Sequence, residues 1–169
     1  KKVKESQKKS KIELAICIVK KSPMEMILQK ATELGVSKII PIISERTEVK
    51  ELNYDRAKKI TIEATEQSNQ MFPPEILDIT KLKDFLENLD KNTKLLFADV
   101  NSKNNLQNSD FKFFESLCIL VGPEGDFSLN ERELILSVPK VAPFTMSKNI
   151  LRSDTAVINA ISLVNFINN

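Results

Sequence analysis

Two short segments near the end of the chain hold charged side chains that could do chemistry: Glu124 in VGPEGDFS at 121–128, and Arg152 and Asp154 in NILRSDTA at 149–156. A carboxylate can act as a general base, and an arginine can stabilise developing negative charge or orient a phosphate. Each segment begins where an apolar run stops and ends where a helical pattern starts, which is where α/β proteins place their ligand sites. Gly122 and Gly125 let the backbone approach a ligand closely, with amides pointing outward near a helix start. Taken alone, GPEG reads equally well as a tight strand-to-helix connection. LRSD alone reads as a helix cap, from Ser153 or Asp154, beside a surface arginine. Two such turns in the last third of the chain point to one composite pocket.

The composition removes other chemistries. The chain has no histidine, so Ser-His-Asp hydrolysis, Cys-His proteolysis and histidine zinc sites have no imidazole to work with, and no metal is expected. Cys17 and Cys118 sit inside the apolar runs LAICIV and LCILV, where a thiol is a small buried hydrophobe. With 169 residues and 41% apolar content there is enough for one core, and no apolar run approaches the roughly 18 residues of a membrane span. No signal peptide is visible, which makes the cytoplasm the default location. The formal charge of +2 hides an asymmetry: residues 1–11 hold six lysines and one glutamate, and the remainder 19 basic and 22 acidic groups. Such a lysine-rich start reads as a solvated linker that can add sequence-independent phosphate attraction.

The elements that must position the two segments follow from periodicity. Residues 12–19 read as a buried strand. A helix follows, with Ser22 as cap, Pro23 in the first turn, Glu25 completing a capping box, an apolar stripe of Met24, Ile27, Leu28, Ala31 and Leu34, and Gly35 as the stop. KIIPII at 38–43 is the next strand, Pro41 hinting at an edge or bulge, so the start is a βαβ unit that winds into a parallel sheet. A helix is predicted from about Asp55 to Ser68 with Ala57, Ile60, Ala64 and Gln67 along one side. Then come a strand EILDI, a helix LKDFLENL, strands at 94–100 and 115–122, and a helix to about Ser137 capped by Ser128 with Glu131. A last strand at 141–146 precedes a closing helix from about Asp154 to Ile167, with Val157, Ala160, Ile161 and Val164 inward. The class is a single α/β domain.

Several of these segments together resemble the RsmE family, the SPOUT-class methyltransferases that modify a uridine base of small-subunit ribosomal RNA. The resemblance runs in order through PMEMILQKATELGVSKIIPIISER at 23–46, Glu66 with Gln67, PEI at 74–76, VGPEGDFS with Glu131, and NILRSDTA. It implies a SPOUT-type mostly parallel sheet flanked by helices with a C-terminal deep trefoil knot, S-adenosylmethionine as cofactor, and a homodimer acting on ribosomal RNA or the small ribosomal subunit. Carried over by position, the cofactor is lined by Leu96, Phe97 and Ala98, by Gly122, Pro123, Glu124 and Gly125, and by Thr145, Met146, Ser147, Ile150, Leu151 and Arg152. RNA falls to Arg46, Glu66, Gln67 and Arg152, and catalysis to Arg152 as anion stabiliser with Asp154 or Glu124 as base.

The chain also departs from the family pattern. Met146 and Ser147 stand for a leucine-glycine pair, which puts a side chain at a place of close approach, Asp126 stands for a second glycine, Asp154 for a glutamate and Gln70 for an arginine. The 169 residues begin in what resembles the linker after the family's N-terminal PUA-like barrel, so residues 1–11 are expected to be a basic linker or tail and 12–169 the methyltransferase domain. Three rival readings follow. One is a SPOUT enzyme acting on another base or a ribose hydroxyl. The second is a non-catalytic protein that binds RNA or adenosylmethionine. The third is a structural α/β dimer in which both segments are only turns.

Overall fold

The computed structural model describes residues 11–169. The expected basic tail therefore lies outside the described residues, except that Lys11 already opens the first strand. Seven strands form one sheet: β1 (Lys11–Cys17), β2 (Lys38–Ile43), β3 (Glu75–Ile76), β4 (Thr80–Lys81), β5 (Thr93–Ala98), β6 (Ser116–Val121) and β7 (Ala142–Phe144). Five helices accompany them: α1 (Lys21–Glu33), α2 (Tyr54–Gln67), α3 (Leu82–Glu87), α4 (Leu129–Leu136) and α5 (Ser153–Asn168). Every pairing is parallel, in the order β3-β2-β1-β6-β5-β7, with β4 also on β2.

The strands are apolar on both faces because both faces are covered. Side chains alternate across a strand. Ile12, Leu14 and Ile16 of β1 and Leu117, Ile119 and Val121 of β6 join the core beneath α1, α2 and α5. Ala15, Cys17, Cys118 and Leu120 face the other layer with Leu82, Phe85 and Ile135 of α3 and α4. On α5, Val157, Ala160, Ile161 and Val164 are fully buried, as the periodicity predicts.

Local chemistry explains most element ends. Helix α1 stops in a Schellman motif, with Val36 N–H donating to Ala31 O, Gly35 N–H to Thr32 O, and Gly35 at φ 84°. Helix α2 stops the same way with Asn69 at φ 57°. The expected capping box at the start of α1 does not form. Lys20 occupies the cap position without a side-chain bond, Ser22 falls inside the first turn, and Glu25 pairs instead with Arg56 of α2 at 3.1 Å. Gln67 is exposed rather than on the inward face of α2. Pro41 lies in an interior strand, not at an edge. Its neighbours on that side are interrupted, since β3 covers Lys38–Ile39 and β4 covers Ile42–Ile43, and the missing donor falls in the gap.

Candidate active site

The two motif segments meet at the carboxyl ends of the central strands. There they wall a cleft of about 850 Å³, within the roughly 300–1,000 Å³ typical of small-molecule sites. One wall is the glycine turn after β6, Gly122 to Asp126. A second is the bend from Thr145 to Asp154 between β7 and α5, and a third is Ala98 to Val100 after β5. Lys20, Ser22, Pro23 and Met26 close the fourth side.

The turn is shaped by its own residues. Asp126 takes the left-handed conformation, φ 62°, donating its N–H to Pro123 O at 2.9 Å and accepting the Phe127 amide on its own Oδ1 at 2.8 Å. Aspartate tolerates that region because its short side chain bonds locally, so this departure from glycine is accommodated. Behind the turn, Glu131 is 8% exposed and accepts two backbone amides, Ser128 at 3.1 Å and Glu45 at 2.8 Å. Arg46, beside Glu45, donates from Nη1 to Gly125 O at 2.9 Å. The segment after β2 is thereby fastened to the turn.

The expected catalytic residues Arg152, Asp154 and Glu124 all line this one cleft. Arg152 is exposed at the cap position of α5, its carbonyl accepting the Ala156 amide; neither Ser153 nor Asp154 is the cap. Asp154 is half-buried and accepts its neighbour Thr155 N–H on Oδ1 at 3.0 Å. Of the expected cofactor residues, Ala98, Gly122, Pro123, Glu124, Gly125, Thr145, Met146, Ser147, Ile150, Leu151 and Arg152 reach the cleft. Leu96 and Phe97 do not: they are buried on opposite faces of β5, and Phe97 packs edge-on against Phe127 at 5.8 Å. Glu66 and Gln67 are exposed on the last turn of α2 and line none of the cavities at the strand ends. Gln70 holds the end of α1 through Thr32 O at 2.6 Å.

The donor and acceptor set suits a ligand with a flat heterocycle and a polar tail. Among the described residues Glu124, Met146, Ile150 and Leu151 make no hydrogen bond to the rest of the chain, so each bend keeps free backbone groups. Val100, Met146, Ile150 and Leu151 supply apolar surface beside it. Ser147 is not in the left-handed region, and its Oγ accepts the Asn149 amide, so its side chain is absorbed by the bend. Sequence reasoning passed over Asp99, which is 3% exposed, lines the cleft and pairs with Arg132 at 2.8 Å. Reading 94–100 as a continuous strand hid that Asp99 stands at the strand's carboxyl end.

A parallel sheet with a ligand cleft at its carboxyl ends defines the class, and a family model described as RNA methyltransferase domain matches residues 6–165. The chain belongs to that family of RNA methyltransferase domains and, within it, to the ribosomal RNA small subunit methyltransferase E group. A ribosomal RNA small subunit methyltransferase E of Rickettsia conorii is 37% identical over 92% of this chain and 64% of its own length. That of Mesomycoplasma hyopneumoniae is 32% identical over 90% and 68%. The crystal structure of the Neisseria gonorrhoeae protein of that name, bound to S-adenosyl methionine, superposes at TM-score 0.85 with 30% identity, covering 94% of this chain and 66% of that one. The chain thus spans about two thirds of its relatives' length. Its sheet and flanking helices are those of the SPOUT-type fold, and the ties between the segments after β5 and β7, Asp99 N–H to Phe144 O and Thr145 N–H to Asn104 O, are consistent with a knotted C-terminus.

Proposed function

We propose that this chain is the catalytic domain of an S-adenosylmethionine-dependent methyltransferase. Its acceptor is the imide nitrogen of a specific uridine in small-subunit ribosomal RNA. The observation that carries the reading is the convergence of Glu124, Arg152 and Asp154 on one cleft with two bends in which Glu124, Met146, Ile150 and Leu151 keep their backbone groups free. In that cleft Gly122 to Gly125 and Thr145 to Leu151 would hold the donor, whose sulfonium supplies a methyl group to an in-line nucleophile. A uridine imide becomes nucleophilic when its proton is removed. Asp154 Oδ2, left free while Oδ1 holds the Thr155 amide, or the unbonded Glu124 carboxylate would take it. Arg152 would stabilise the anion. Met26, Val100 and Ile150 line the cleft yet stay exposed, Ile150 at 91%, which supports a second copy covering the cleft mouth in a homodimer. Among the described residues no helix is long and apolar enough to cross a membrane, and a ribosomal RNA acceptor places the reaction in the cytoplasm. Residues 12–169 form the methyltransferase domain in this reading.

The test combines calorimetric titration of S-adenosylmethionine with methylation of small ribosomal subunits. The parent chain binds the donor, and Arg152→Ala lowers kcat by on the order of 100-fold with donor affinity retained. Near-normal turnover by Arg152→Ala removes that role, and a parent chain that does not bind the donor removes the whole reading.

A further inference from the structure

Among the described residues Asp99 and Arg132 form the one ion pair with a nearly inaccessible member: the Asp99 side chain is 2% exposed, and Arg132 approaches it along its fork, Nη2 at 2.8 Å and Nε at 3.2 Å from Oδ2. A pair with one buried member gains little net stability, because desolvation of the buried Asp99 carboxylate offsets the attraction of the half-buried Arg132. What it fixes is geometry. The same carboxylate accepts the Asn101 amide on Oδ1 at 3.0 Å, and Asp99 O accepts the Ser102 amide at 3.0 Å, which bends the chain straight after β5. That bend leaves Val100, 56% exposed, on the cleft wall.

Asp99 also binds the neighbouring wall. Its N–H donates to Phe144 O at 3.0 Å, continuing the β5–β7 pairing that sets Ala98 opposite Phe144. Arg132 comes from the first turn of α4, whose cap Ser128 ends the glycine-turn segment. Asp99 therefore ties three segments that line or adjoin the cleft: its carboxylate joins the end of β5 to the helix that carries on from the glycine turn, and its backbone amide joins the end of β5 to the end of β7.

We propose that the Asp99–Arg132 pair is a positioning device for the adenosine end of the methyl donor, setting the apolar wall of Ala98, Val100 and Met146 at the right separation from the glycine turn. The inference rests on the reading of the cleft as the donor site. Arg132 does not line the cleft, so it acts through Asp99 and touches no ligand.

The experiment is calorimetric titration of S-adenosylmethionine and of 5′-methylthioadenosine, which keeps the adenosine and lacks the amino-acid tail. The proteins are the parent chain, Arg132→Met and Arg132→Lys, each with its urea midpoint measured. Arg132→Met weakens both ligands by the same factor, on the order of tenfold, as expected for a misplaced wall, and Arg132→Lys recovers part of the loss. If Arg132→Met lowers the urea midpoint but binds both ligands like the parent, the pair is structural only and the proposal falls while the donor site stands. Weakening confined to S-adenosylmethionine would also overturn it, since the pair would then act on the tail. A parent chain that binds neither ligand overturns both the inference and the donor site.

Discussion

A Cβ built on Gly122 would come within 3.0 Å of Cε2 of Phe127, so that ring, buried and packed edge-on against Phe97, would have to shift by a few tenths of an ångström. A Cβ on Gly125 would meet only Arg46 Cβ and Cδ at 3.7 Å, an ordinary contact. Gly122→Ala is therefore expected to cost about 1–3 kcal/mol by overpacking, and Gly125→Ala no more than about 0.5 kcal/mol, both read from urea midpoints. Equal midpoints for the two variants would show that the Phe127 ring yields. Sequence alone does not separate these glycines, since both belong to the same turn and the difference is made by an aromatic side chain five residues beyond Gly122. Asp126 teaches the converse: as a letter it is a lost glycine, but at φ 62° with its own Oδ1 on the Phe127 amide it does the glycine's conformational task. That Arg152, Asp154 and Glu124 share one cleft was legible from the two motif segments. Asp99 was not, because nothing local marks where a buried strand ends or which arginine will answer it.

Of the two Ser-x-x-Glu capping boxes read from the sequence, only one forms. At the start of α4, Ser128 Oγ accepts the Glu131 amide at 3.2 Å while Glu131 accepts the Ser128 amide. At the start of α1 the same spacing of Ser22 and Glu25 is overruled, since Glu25 is drawn to Arg56 across the helix pair and its acidity is strengthened by that bond. Local pattern thus predicts a cap only where no partner from another element competes for the carboxylate. Glu131 in turn does more than a cap, because its second oxygen reaches the Glu45 amide of the segment after β2. Glu131→Ala leaves two amides without their acceptor and should cost roughly 2–4 kcal/mol, the loss of a cap plus a buried unsatisfied group. Glu131→Gln keeps one carbonyl oxygen as acceptor and should cost less. A midpoint for Glu131→Ala within error of the parent would mean that water replaces the carboxylate at both amides, and that the tie between Arg46 and the glycine turn does not depend on it.

At the scale of the whole molecule, the βαβ start announced a parallel sheet, and the double-faced apolar strands announced cover on both sides. The strand order was not announced: β6 slots between β1 and β5, and β7 lies outside β5, choices made by long-range pairing that no local window contains. The two cysteines report on how firmly that order is held. Cys17 and Cys118 lie on the central strands β1 and β6, facing the α3 and α4 layer, and both are fully buried. Burial pushes the Cys17 thiol up from its ordinary 9.0 to about 12, and Cys118 is raised further for the same reason. A thiol held neutral in the folded chain but free to ionise in the unfolded one favours unfolding once pH exceeds the unfolded value. Stability is therefore whole below about pH 9 and falls as the pH rises toward 12, a window fixed by the Cys17 values. At pH 8 neither thiol should react with a disulfide reagent in the native protein, and both should become reactive along a urea titration in one step that coincides with the loss of helical circular dichroism. The sheet's middle carries both cysteines, so labelling cannot begin at an edge. Labelling of one thiol ahead of that transition would show that β1 and β6 part before the helices unfold, and that the two halves of the sheet are separate cooperative units.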